Sequence, residues 1–68
     1  MRQVIIYPGE DGWWVADCPS LPGCLSQGRT REEAIDNIKE AIQAYIEALE
    51  KDSLPVPEER FEALLVAV

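Results

Sequence analysis

The chain has 68 residues, room for one domain spanning 1–68, because so short a polypeptide buries only about 60% of the surface its unfolded form exposes. Six basic side chains against thirteen acidic ones, with no histidine, leave a formal charge of −7, so the folded surface repels a phosphate backbone and direct nucleic-acid binding is not expected. The 47% hydrophobic content speaks against disorder. No apolar run approaches the roughly 18 residues of a membrane helix, and the opening Met1-Arg2-Gln3 is not followed by a signal peptide's long apolar stretch, so no membrane partner and a cytoplasmic location are expected.

Arg2–Tyr7 is rich in β-branched and aromatic residues and reads as a strand that ends at the turn-forming Pro8-Gly9-Glu10-Asp11-Gly12. Trp13–Cys18 reads as a second strand, broken by Pro19-Ser20-Leu21-Pro22-Gly23, whose prolines cannot donate to a sheet ladder. Cys24–Gly28 is a short third strand. Both connections are too short for a crossover between parallel strands, which predicts an antiparallel meander. Thr30 then opens a helix through the Thr-x-x-Glu capping box with Glu33, and Glu32, Glu33 and Asp36 suit the positive end of its dipole. Ile35, Ile38, Ile42, Tyr45, Ile46 and Leu49 recur at three- and four-residue intervals, a stripe that must face a core. Lys51 sits near the helix end, and Pro55 and Pro57 forbid its continuation. The apolar close within Phe61–Val68 reads as a fourth strand. The predicted fold class is α+β, in β-β-β-α-β order, an antiparallel sheet with one helix packed on one face.

Side-chain alternation sets Val4 and Ile6 against Ile5 and Tyr7, and Trp14, Ala16 and Cys18 against Trp13 and Val15. Both sheet faces are therefore apolar, and one helix can cover only one of them. The other needs a protein partner, either a second copy or a different chain. Association also helps a domain whose single core supplies no more than roughly 3 to 5 kcal/mol.

The chemical inventory is thin, and no catalytic residue, cofactor or metal site is expected. Glu10, Asp11 and Asp17 could ligate a hard cation, but Glu10-Asp11-Gly12 is ordinary hairpin-turn composition and Asp17 marks a strand exit, so they read as solvated turn acids. Cys24 has no imidazole to activate it as a nucleophile. Cys18 and Cys24 are too few to staple a secreted mini-protein and lack histidine to complete a zinc site; a bridge between them is geometrically conceivable, but a reducing cytoplasm favours two thiols used for packing. Gly9, Gly12, Gly23 and Gly28 lack a phosphate-binding spacing and read as turn glycines. Trp13 and Trp14 could stack on bases, yet an acidic domain offers no electrostatic funnel to bring them there, which leaves core and interface packing.

Glu10-Asp11-Gly12-Trp13-Trp14-Val15-Ala16, Pro19-Ser20-Leu21-Pro22-Gly23-Cys24, Gly28-Arg29-Thr30-Arg31-Glu32-Glu33-Ala34, and Asn37 with Glu40-Ala41-Ile42 and Tyr45 together resemble the HicB-like antitoxin family across nearly the whole chain. The resemblance implies a partial ribonuclease-H-like fold, homo-oligomers (dimer or tetramer), and a non-catalytic role in binding a small basic RNA-cleaving HicA-type toxin. The motif residues it carries over have structural roles: Gly12 for the turn, Pro22 and Gly23 for a sharp corner, Cys24 for packing, Thr30 and Glu33 for the cap. Many family members add a C-terminal promoter-binding domain, for which a chain ending at Val68 is expected to have no room. The first strand carries no acid where a working ribonuclease H would need one, so a metal-dependent nuclease is not expected.

The leading expectation is an interaction module that covers a toxin's basic surface, with Glu10, Asp11, Trp13, Trp14, Asp17, Glu58, Glu59 and Glu62 as the nominated contacts. The competing expectation is a homo-oligomeric member of the family without a toxin partner.

Overall fold

In a computed structural model, which describes residues 1–60 and 64–68, the chain forms three antiparallel strands followed by one long helix. Strand β1 is Ile5–Pro8, β2 is Trp14–Asp17 and β3 is Leu25–Gly28, in the spatial order β1-β2-β3. Ile5 lies across from Asp17 and Asp17 from Leu25; Tyr7 lies across from Val15 and Val15 from Gln27. The strands are shorter than the sequence suggests: pairing in β1 begins only at Ile5, and the turns take Trp13, Cys18 and Cys24 from the ends of β2 and β3.

The first turn closes with Gly9 N–H donating to the Trp13 carbonyl (2.7 Å), and it passes through two consecutive left-handed residues, Asp11 (φ 56°) and Gly12 (φ 79°). Asparagine, aspartate and glycine adopt this conformation at the lowest cost, which is why Asp-Gly stands here. The second turn is drawn together at its base by Cys18 N–H donating to the Cys24 carbonyl (3.0 Å), and Gly23 makes its corner at φ 79°. Leu21 turns inward from this loop and is fully buried, a core position concealed in the sequence between two prolines. Cys18 and Cys24 are buried free thiols in the same core. Burial above all, then the neighbouring Cys18 and Asp17, pushes the Cys24 thiol up, the opposite of what a nucleophilic cysteine needs.

Helix α1 spans Arg31–Lys51. Thr30 caps it, its Oγ1 accepting from the Glu33 N–H at 3.0 Å. Glu33 reaches back as the motif predicts, but one residue further than a capping box requires, to the N–H of Arg29 (3.2 Å). The other end closes in a Schellman motif: Leu54 N–H donates to the Leu49 carbonyl (2.8 Å) and Ser53 N–H to that of Glu50 (3.1 Å), with Ser53 left-handed at φ 54°. The helix thus stops ahead of Pro55 through its own backbone bonds. A serine held there is strained where glycine would not be. Ser53→Gly is expected to stabilise the fold by about 0.5 kcal/mol and to raise Tm by roughly 2–4 °C, read by thermal circular dichroism. A fall in Tm would contradict this helix end.

Ala34 and Ile38 are buried against the sheet, flanked by the half-buried Ala41, Ile42, Tyr45 and Ile46. From the sheet side Val4, Ile6, Trp14, Ala16, Cys18, Leu21 and Cys24 complete the core. Two polar bonds fix the helix in register with the strands: Asn37 Nδ2 donates to the Gln27 carbonyl (2.7 Å), and the Tyr45 hydroxyl donates to that of Pro22 (2.9 Å). At the helix start Gly28 approaches the backbone so closely that a Cβ there would lie 2.5 Å from the Ala34 nitrogen. Gly28 is therefore a packing glycine rather than the turn glycine its sequence position suggests.

The β-β-β-α part of the expected order holds. The expected fourth strand requires correction: Phe61, Glu62 and Ala63 lie outside the described residues, and Leu64–Val68 form no strand and are exposed. Apolar extended residues become a strand only where a neighbour supplies ladder hydrogen bonds, and Leu64–Val68 have no such neighbour among the described residues.

Candidate interaction surface

The side of the sheet away from α1 carries Ile5, Tyr7, Val15, Asp17, Leu25 and Gln27. Alternation along each strand puts them there, because Ile6, Ala16 and Ser26 point the other way. Ile5, Tyr7 and Leu25 are 40%, 42% and 56% exposed, while Ala16 beside them is fully buried under the helix. Both halves of the two-face expectation are thus met: one apolar face is covered and the other is open.

Continuing the β2–β3 register one step past Trp14 and Gly28 brings Trp13 opposite Arg29. The Arg29 guanidinium lies over the Trp13 ring, 4.3 Å from its centroid, an attraction between the cation and the ring's negative face. On the helix side Arg31 stands 5.2 Å from the centroid of Trp14. The adjacent tryptophans therefore serve different faces: Trp14 packs against the core and Trp13 closes one end of the open face. Asp17 lies at the opposite end, between Ile5 and Leu25.

The nominated contact residues do not gather in one place. Glu10 and Asp11 stand exposed in the first turn, and Trp13 and Asp17 share the open face. Glu58 is exposed and pairs with Arg60 at 2.8 Å. Glu59 is turned inward: it accepts from the Ser20 hydroxyl (2.6 Å) and from the Gln3 N–H (3.1 Å), and Arg2 lies 3.8 Å away. Arg2 also donates to Ser20 Oγ (3.1 Å) and to the Pro57 carbonyl, so the group fastens the segment after α1 to the start of the chain. Glu62 lies outside the described residues. Sequence reasoning missed this clasp and missed Arg29. Arg29 could have been found by extending the strand register; Arg2 and Glu59 are 57 positions apart and carry no local signal.

The Ser20 hydroxyl above all holds the Glu59 carboxyl below the usual glutamate range; desolvation, the next largest effect, opposes it, and the Gln3 amide and the Arg2 charge add smaller pulls downward. A depressed folded pKa makes the clasp's contribution to stability full above the unfolded value near 4.3 and lost as pH falls through the folded value. The protection factor of the Gln3 amide, its exchange measured against the intrinsic rate at each pH, is accordingly expected to fall on acidification below about pH 4.3. In Glu59→Gln that protection should be lower already at neutral pH and show no acid step; an identical acid step in both proteins would rule the clasp out.

Among the described residues no three acidic, cysteine or histidine side chains come together to hold a metal ion, and no helix is long and apolar enough to cross a membrane. The motif residues occupy structural posts: Gly12 and Gly23 in left-handed corners, Cys24 in the core, Thr30 and Glu33 at the cap, with Pro22 receiving the Tyr45 hydroxyl.

An antiparallel three-stranded sheet backed by one capped helix, with glycine corners at its turns and its second face open, defines a small α+β domain of the β-β-β-α type. The chain belongs to the HicB-like antitoxin family of bacterial toxin-antitoxin systems, whose profile matches residues 3–66. Among curated proteins it is similar to the UPF0150 protein Ta0767 of Thermoplasma acidophilum, 51% identical over 63 residues covering 93% of this chain and 91% of that one. It is also similar to a UPF0150 protein of Helicobacter pylori, 50% identical over 50 residues (74% of this chain, 68% of the relative). A third relative is an uncharacterised 14.9 kDa protein of Haemophilus phage HP1, 45% identical over 47 residues, of which the match spans 69% of this chain but 35% of the phage protein. No solved structure matches the chain.

Proposed function

We propose that this protein is the non-catalytic, protein-binding member of a toxin–antitoxin pair, and that it neutralises a small basic RNA-cleaving toxin of the HicA type by covering the toxin's phosphate-binding surface. The observation that carries this reading, beside the family membership, is where the acids stand. Glu10 and Asp11 project from an exposed turn, and Glu32, Asp36, Glu40, Glu47 and Glu50 line the exposed side of α1. A net charge of −7 on so small a body, with these acids in solvent, favours encounter with a cationic partner and makes its rate fall with salt. Glu59 is committed to the clasp, so Glu10 and Asp11 lead among the nominated acids.

Co-expression with a small basic HicA-type toxin tests the proposal. Co-purification, with loss of the toxin's RNA cleavage when this chain is added, is expected. Glu10→Lys combined with Asp11→Asn, which removes the charge and keeps a residue suited to the left-handed turn, should slow association at low salt and leave folding intact. A stable preparation that ignores the basic protein and fails to suppress RNA cleavage would refute it.

The open apolar face favours a second feature, self-association. Large apolar side chains in a contiguous exposed patch are uncommon on solitary soluble domains, and a second copy is the partner always available.

A further inference from the structure

We infer that two copies pack face to face through the open side of the sheet, related by a two-fold axis that crosses the strands near Val15, so that Asp17 of each copy meets Arg29 of the other. The inference rests on the self-associating reading above and adds its geometry.

The face is chemically graded from end to end. At one end Asp17 sits between Ile5 and Leu25; in the middle Tyr7, Val15 and Gln27 form a neutral row; at the far end Arg29 lies on Trp13. Neither ion pair among the described residues, Arg2–Glu59 or Arg60–Glu58, involves Asp17 or Arg29. The Trp13 ring takes one flat side of the Arg29 guanidinium, and the N–H groups around its edge remain free to meet a carboxylate.

Two identical faces can be stacked about two kinds of in-plane two-fold axis. An axis parallel to the strands sets Asp17 over Asp17 and Arg29 over Arg29, repulsion at both ends. An axis perpendicular to the strands runs the facing β2 strands in opposite directions. Asp17 and Trp13 are four residues apart, about 13 Å along a strand, and Val15 lies midway. With the axis at Val15, each acid end falls on the other copy's Arg29 end, giving two symmetric charge pairs around Ile5, Tyr7, Val15 and Leu25. Sheets stacked this way keep an aligned angle of about 30° and a spacing of about 10 Å, which two layers of such side chains fill. Isologous symmetry satisfies both pairs with one contact type.

Charge exchange tests the arrangement in solution. Sedimentation and light scattering should find the natural chain as a dimer or a multiple of it. Asp17→Arg alone and Arg29→Glu alone each set like charges against each other at both ends, and each should weaken association by on the order of tenfold or more. Mixed in equal amounts, the two variants should form a heterodimer. One end then carries the charge pair with its signs exchanged between the copies, and the other end keeps the natural pairing of Asp17 with Arg29; this rescue also shows that both variants are folded. A natural chain that stays monomeric at working concentration, or that gives up this face to a different protein, overturns self-association itself. A natural dimer with both variants dimerising normally, or with no rescue on mixing, leaves self-association standing and overturns this geometry.

Discussion

Gly28→Ala is expected to lower Tm by roughly 10–20 °C and to leave much of the protein unfolded at 37 °C. The added Cβ would lie 2.5 Å from the Ala34 nitrogen, 2.8 Å from the Glu33 carbonyl carbon and 2.9 Å from the Glu33 Cβ. These are atoms at the start of a capped helix, and they cannot swing aside as the tip of a flexible side chain would. Relief requires α1 to lift from β3, which loosens the Ala34 and Ile38 contacts that hold the helix to the sheet. Overpacking of this kind costs about 1–3 kcal/mol, and against backbone the upper end applies. A single core of this size provides roughly 3 to 5 kcal/mol, so most of the stability is consumed. Gly12→Ala serves as the contrast. No atom lies within 4 Å of its Cβ, and only its left-handed φ of 79° penalises alanine, at about 1 kcal/mol. Thermal denaturation followed by circular dichroism separates the two; equal losses would show that Gly28 is not a packing glycine.

Leu21→Ala should be comparably severe, costing about 2–5 kcal/mol in urea unfolding. Leu21 is fully buried although it sits in a loop. Its N–H donates to the Cys18 carbonyl (3.0 Å) and its carbonyl accepts from Cys24 N–H (2.9 Å), so the backbone around it is too constrained to collapse into the space a missing isobutyl group leaves. Tyr45 ties the adjacent Pro22 carbonyl to α1, and a slackened turn therefore releases the helix as well. Leu21→Met, which conserves volume, should cost less than about 1.5 kcal/mol. Leu25→Ala, the same change four residues on at a 56% exposed site, should alter the stability of the single chain by about 0.5 kcal/mol or less and act on association instead. Similar unfolding curves for Leu21→Ala and Leu25→Ala would contradict the inward placement of Leu21.

Local chemistry explains what could be read without coordinates. The Asp11-Gly12 turn, the Thr30 cap, the three- and four-residue spacing from Ile38 to Leu49, and the alternation of Ile5 with Ile6 each depend on residues a few positions apart. They define the strands, the helix and the existence of an uncovered sheet face. The same locality explains what could not be read. Leu64–Val68 has a strand's composition, but composition does not state whether a neighbouring strand is present, and none pairs with it among the described residues. Residue type alone nominates Asp17 and Trp13 as contacts; only the strand register shows that they close opposite ends of one face, and that Arg29 completes the second end.

Turns, cap and periodicities are thus written in short-range patterns, because backbone preference and side-chain direction act over one or two turns of chain. The contact of Gly28 with the helix backbone, the inward Leu21 and the clasp joining Arg2, Ser20 and Glu59 arose only on folding. They link atoms up to 57 positions apart, and such proximity is set by how sheet, helix and returning chain pack together in space.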